Sequence, residues 1–150
     1  MTIQEAYNFF ESLATETTKK SEIKIYKKFV NVLSELKNRK FSKDEIQSIE
    51  TELDRLNLES NHGNRKKYFK KALSKFEKFL KDSFSLTSKG YYTKLYGGLG
   101  LSFGLLFGVV FLSSWERSLG ISLGLLIGMV IGSIIGQSMD AKSKSEGKVL

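Results

Sequence analysis

Few residues of this chain have side chains suited to catalysis. His62 is the only histidine, it sits in the run Asn61-His62-Gly63-Asn64, and no cysteine occurs. A histidine among turn formers reads as a turn residue, not as a base or a metal ligand. Without cysteine there is no thiol nucleophile, thiolate metal site or disulfide. Glu45, Glu50, Glu52 and Asp54 cluster in sequence, but Lys43 and Arg55 lie among them, the pattern of a solvated helix face. No Ser-His-acid set, HExxH or GxxxxGK[ST] is present. Gly97-Gly98-Leu99-Gly100 opens an apolar run with no lysine after it, so it is not a phosphate loop. These residues point away from an enzyme, and they indicate no metal, no cofactor and no small-molecule substrate.

Lysine and glycine are patterned more strongly. Residues 1–63 hold 10 basic and 11 acidic residues, residues 64–95 hold 10 and 2, and residues 96–150 hold 4 and 3, so the net charge of +8 gathers in the middle segment. There Lys67, Lys70, Lys71, Lys75, Lys78 and Lys81 fall on the helical face opposite Phe69, Ala72, Leu73, Phe76, Phe79 and Leu80. Such a face is open to three readings. It is a solvated surface that also sets topology, a surface for anionic lipid headgroups at ~1 kcal/mol per nearby lysine, or a phosphate-neutralising surface for nucleic acid. The spacing puts the phenylalanines in a core and not on a stacking surface, and no helix-turn-helix signal stands out. Both points weigh against nucleic acid.

The glycines fall in the apolar part of the chain. From Tyr96 to Met139 the only charged residues are Glu116 and Arg117. Two stretches there, about 95–113 and 119–139, are each close to the ~20 helical residues that a ~30 Å bilayer core requires. The short connection Ser114-Trp115-Glu116-Arg117-Ser118 makes them antiparallel neighbours. Trp115 suits one headgroup layer, and Tyr91, Tyr92 and Tyr96 suit the other. Gly120, Gly124, Gly128, Gly132 and Gly136 repeat every fourth residue, as do Gly100, Gly104 and Gly108, with Gly97 one turn earlier. In lipid, where apolar side chains gain nothing by leaving the solvent, such ridges let backbones pack closely.

In these repeats, from Gly97 to Gly136, the chain resembles the glycine-zipper class of membrane helices, and as a whole it resembles small two-span bacterial membrane proteins. The resemblance implies tight helix packing, often oligomerisation, and in some members a pore. The two ridges can equally pack on each other within one hairpin. Ser102, Ser122, Ser133, Gln137 and Ser138 are the only polar residues for a pore lining, and no ionisable side chain lies deep in either stretch, which argues against proton relays and charged selectivity rings.

The remaining elements must carry these surfaces. Four amphipathic helices are expected in residues 1–86. The first carries Ile3, Ala6, Tyr7, Phe10, Leu13 and Ala14. The second carries Tyr26, Phe29, Val30, Leu33 and Leu36, and the third Ile46, Ile49, Leu53 and Leu56. The fourth is the basic helix. Thr2 with Glu5 and Ser42 with Glu45 read as capping boxes. The absence of proline suits long helices.

The expectation is an all-α chain. Residues 1–86 form a basic cytosolic bundle of about four helices, 87–95 a juxtamembrane linker, 96–140 a two-helix transmembrane hairpin and 141–150 a cytosolic tail. The N-terminal residues lack the basic and apolar regions of a signal peptide. Lys81, Lys89 and Lys94 before the first span, and Lys142, Lys144 and Lys148 after the second, put both termini on the cytoplasmic side of a bacterial inner membrane. The expected partners are the bilayer, anionic lipid or an acidic protein, and further copies of the chain. The alternatives are an oligomeric pore-forming or permeabilising effector and a membrane-tethered nucleic-acid-binding module.

Overall fold

The computed structural model describes residues 1–60, 63–112 and 117–150, all-helical and without strands among these residues. The elements are α1 (Ile3–Glu16), α2 (Lys20–Lys37), α3 (Lys43–Arg55), α4 (Arg65–Phe84), α5 (Tyr91–Phe107, continued by a wide π-helical turn Gly108–Leu112) and α6 (Arg117–Ser145). They form two compact units, Met1–Leu86 with Leu150, and Thr87–Val149. His62 and Trp115, each singled out in the sequence, lie outside the described residues.

In the first unit both capping boxes form. Thr2 Oγ1 accepts from the Glu5 amide at 3.1 Å while Glu5 Oε2 accepts from the Thr2 amide at 2.7 Å. Ser42 and Glu45 repeat the exchange at 3.3 and 2.7 Å. Each box satisfies amides that the first turn of a helix leaves without partners. The Glu5 carboxyl is held below the usual range, first by the Thr2 backbone N–H and then by the Thr2 hydroxyl.

The core is aromatic. Phe10 stacks on Phe29 with ring centroids 4.0 Å apart, and Phe69 meets Phe10 and Tyr26 edge-on at 5.5 and 5.4 Å. These contacts tie α1, α2 and α4 together. α3 packs more lightly, on α1 and α4, through Ile49 and Leu53. Glu22 is buried beside this core; its carboxylate accepts from the Tyr26 hydroxyl at 3.4 Å and pairs with Lys19 at 3.5 Å. Burial, and then the Glu22 charge, push the Tyr26 hydroxyl pKa up.

The buried set differs from the sequence stripes in particular residues. Val32 is buried while Val30 is half-buried, because α2 packs on both α1 and α4 and so needs a wider apolar arc than one stripe. Ile46 is exposed in the first turn of α3, whereas Leu58 and Leu86, outside the helices, are buried.

Candidate functional site

The second unit is a hairpin of α5 and α6 whose contact surface is backbone on both sides. A Cβ added to Gly108 would stand 2.5 Å from Gly120 O, one on Gly124 2.6 Å from Gly108 Cα, and one on Gly128 2.7 Å from Gly104 Cα. Cβ atoms on Gly100 and Gly132 would each stand 3.1 Å from the other's Cα, and one on Gly136 2.5 Å from Thr93 Cα. Each step of four residues along α5 is matched by a step of four back along α6, as antiparallel helices with the same repeat require. Gly97 lies at the margin of this seam, its added Cβ 3.7 Å from Ser133 Oγ, and Gly98 faces open space. The glycine positions from Gly100 to Gly136 therefore meet within a single hairpin.

Close approach of the backbones leaves the large side chains pointing outward. Phe103 is 68% exposed, Phe111 65%, Leu126 61% and Ile134 62%. On one side a groove of about 430 Å³ runs beside the seam, floored by glycines and walled by Leu99, Phe103, Phe107, Ile127, Ile131 and Ile135. Two segments, Tyr91–Phe111 and Leu119–Ser145, are long and apolar enough to cross a membrane. At 1.5 Å per residue, their 21 and 27 residues span about 32 and 40 Å. Of the polar residues in these spans, Ser102 turns its hydroxyl back onto its own helix, donating to Gly98 O at 3.2 Å.

The open end of the hairpin is closed by polar contacts. α5 starts after Gly90, which has a left-handed conformation (φ 73°) and provides no side-chain cap. The cap comes from the other helix. Asp140 accepts from the backbone amides of Tyr92 and Thr93, each at 3.0 Å, and from the Thr93 hydroxyl at 2.6 Å. Five residues on, α6 ends in a Schellman turn: Gly147 adopts φ 68°, its amide bonds to Lys144 O, and the Lys148 amide bonds to Ser143 O at 2.9 Å. The chain then runs back beside Thr87, whose amide donates to Lys148 O at 2.9 Å and whose hydroxyl is 3.2 Å from that of Ser143. Sequence reasoning missed this clasp. Its one signal was Asp140, a lone carboxylate at the end of an apolar run.

No protein-family model matches this chain, nor does any curated protein or solved structure.

The basic helix belongs to the first unit. Phe69, Ala72, Leu73, Phe76 and Leu80 of α4 are buried, and Phe79 packs partly against them. Lys67, Lys70, Lys71, Lys75 and Lys78 are exposed and Lys81 is half-buried. Among the described residues, no ion pair within 4.0 Å involves the five exposed lysines. Asn64 caps α4, accepting from the Lys67 amide at 3.1 Å. Tyr91, Tyr92 and Tyr96 lie in the first turns of α5, half-buried, with Tyr91 and Tyr92 in an edge contact at 5.2 Å. No cluster of His, Asp or Glu among the described residues could hold a metal ion.

Proposed function

We propose that this chain is a small integral membrane protein whose glycine-seamed hairpin anchors a basic helical domain at a bilayer, and that the domain presents its α4 lysines to anionic lipid or an acidic partner. The observation that carries the reading is the outward display of large apolar side chains along both α5 and α6, on helices long enough to span. With the seam built from glycine, the hairpin has almost nothing else to bury, and hydrocarbon is the solvent that accepts such a surface. The five exposed lysines precede the first span by fewer than thirty residues of chain. At ~1 kcal/mol each near an anionic surface, they add several kcal/mol of attraction that salt weakens. No catalytic role is proposed.

Self-association of the hairpins is part of the proposal. Because the seam glycines already meet each other, contact between copies falls to the outer, lipid-facing sides of α5 and α6. The positive-inside rule places both termini in the cytoplasm.

The absence of native cysteine makes the test clean. In intact cells a membrane-impermeant maleimide is expected to label Ser114→Cys, in the connection between the spans, and to leave Ser48→Cys, exposed on α3, unlabelled until the membrane is opened. The opposite pattern would reverse the orientation, and extraction of the full chain by alkaline carbonate would remove the membrane reading altogether. Detergent-corrected light scattering of the purified chain decides between monomer and oligomer.

A further inference from the structure

The first unit has a second polar feature, a cleft of about 210 Å³ where the end of α3 meets α4, lined by Arg55, Leu56, Asn57, Tyr68, Lys71, Ala72 and Lys75. Its lining includes three cations and no carboxylate. Arg55 pairs with Glu52, whose carboxylate lies 3.5 Å from one guanidinium nitrogen. A guanidinium has five N–H donors, so one long contact leaves most of them free. Lys71 and Lys75 stand one turn apart on α4, a like-charge spacing that an unliganded helix tolerates at a cost.

The end of a helix ordinarily repels anions, because its last carbonyls point outward. Here that surface is altered. Asn57 turns the chain with φ 48°, and the Tyr68 hydroxyl lies against the carbonyls of Leu56 and Asn57, 3.0 Å from the latter. The Tyr68 hydroxyl covers part of these acceptors, and the charged groups at the mouth are all cationic: the Arg55 guanidinium and the Lys71 and Lys75 ammonium groups, with the NH2 of the Asn57 carboxamide as a further donor. The residual negative end of α3 is worth roughly half a charge, which together with Glu52 leaves the three cations in excess.

We propose that this cleft binds a phosphate group. Its volume corresponds to about seven waters at ~30 Å³ each, room for one phosphate and part of its hydration. The inference rests on the reading of the basic domain as a binder of anionic lipid or an acidic partner, and it gives that reading a specific place and ligand chemistry. The phosphate is either a lipid headgroup or free in solution, and one experiment separates the two.

The full chain, ¹⁵N-labelled in maltoside micelles, is titrated in one arm with inorganic phosphate and in the other with dioctanoyl phosphatidic acid. Saturating amide shifts are expected at Asn57, Lys71 and Lys75. Saturation in both arms marks a site for free phosphate, and saturation by the lipid alone marks a headgroup site. Lys71→Gln with Lys75→Gln should weaken binding at least about tenfold through loss of two charge-assisted contacts. Lys27→Gln with Lys28→Gln, exposed on α2 and equal in charge lost, should change it less than about twofold, the size of a screened long-range effect. Shifts that fail to saturate in either arm, or equal weakening by both variants, overturn the cleft. If the chain in anionic nanodiscs then still shows salt-sensitive lipid contact along α4, the broader reading stands and the cleft alone falls.

Discussion

A single methyl group added to the glycine seam should open the hairpin. A Cβ on Gly128 would lie 2.7 Å from Gly104 Cα, and one on Gly104 would lie 3.0 Å from Gly128 Cα. Carbon atoms rest at ~3.5–4.0 Å, so an alanine at either position requires the helices to part by about 1 Å at that level. Every atom met is backbone, so no side-chain rotation relieves the contact. Overpacking of this kind costs ~1–3 kcal/mol. Gly128→Ala with Gly104→Ala should cost less than the sum, since both are relieved by one separation.

Gly98 is the control: nothing lies within 4 Å of its added Cβ, and alanine is the better helix former by up to ~1 kcal/mol. The reporter is a disulfide between Gly97→Cys and Ser133→Cys. A Cβ added at Gly97 meets Ser133 Oγ at 3.7 Å, so the two positions face each other at the margin of the seam. Under mild oxidation of the full chain in micelles, Gly128→Ala should slow closure of this bridge about tenfold, the equivalent of ~1.4 kcal/mol within the overpacking range. Gly98→Ala should leave it unchanged. An undiminished rate in Gly128→Ala, or equal slowing in Gly98→Ala, would refute the argument that the seam depends on bare backbone.

Two further outcomes follow from the helical domain. Phe10 is fully buried and touches Phe29, Phe69 and Tyr26. Phe10→Ala should destabilise the domain by ~3–5 kcal/mol, read as a fall in its urea midpoint by near-ultraviolet circular dichroism. The Glu5 carboxyl is held below its usual pKa by the Thr2 amide. A depressed folded pKa means the cap's contribution is complete above the unfolded value of ~4.3 and is lost as pH falls through the lower folded value. The Thr2 amide proton shift should therefore titrate through that window, and Glu5→Gln should abolish the step. A Thr2 amide shift that shows no acidic titration step would remove the carboxylate from the cap.

The helices were legible because their determinants are local. Capping boxes at Thr2 and Ser42 and the 3–4 spacing of apolar residues act within a turn or two of chain. Val32 and Leu58 were not legible, because their burial depends on which elements pack on α2 and on the path taken after α3. The glycine repeats announced close backbone approach but not its partner, since a ridge of identical residues fits a neighbour in the same chain or in another copy. The cleft beside Tyr68 was hidden for a similar reason: Arg55 and Lys71 are separated by a loop, and only the turn at Asn57 brings them to one site.

The same degeneracy raises a question of register that the clasp answers. A seam of glycines four apart on both helices looks alike after α6 slides by one repeat, a shift of ~6 Å at 1.5 Å per residue. Gly–Gly contacts survive such a slip, apart from those at the ends, so the seam alone discriminates weakly between registers. Contacts that do not repeat must choose. Asp140 bonding to Tyr92 and Thr93 occurs once, as does Thr87 against Ser143 and Lys148, and a slip of four residues breaks both sets.

Asp140→Ala removes an N-terminal cap, worth ~0.5–2 kcal/mol, together with the principal bias for one register. With Gly97→Cys fixed on α5, the native chain should bridge to Ser133→Cys far more readily than to Met129→Cys or Gln137→Cys, one repeat to either side. In the Asp140→Ala background the bridges to Met129→Cys or Gln137→Cys should gain at the expense of Ser133→Cys. Asp140→Asn, which keeps an acceptor oxygen, should fall between. If Asp140→Ala loosens all three bridges equally, the carboxylate holds the hairpin shut without selecting its register. If it changes none, the seam selects the register through packing differences that the glycine repeat does not express.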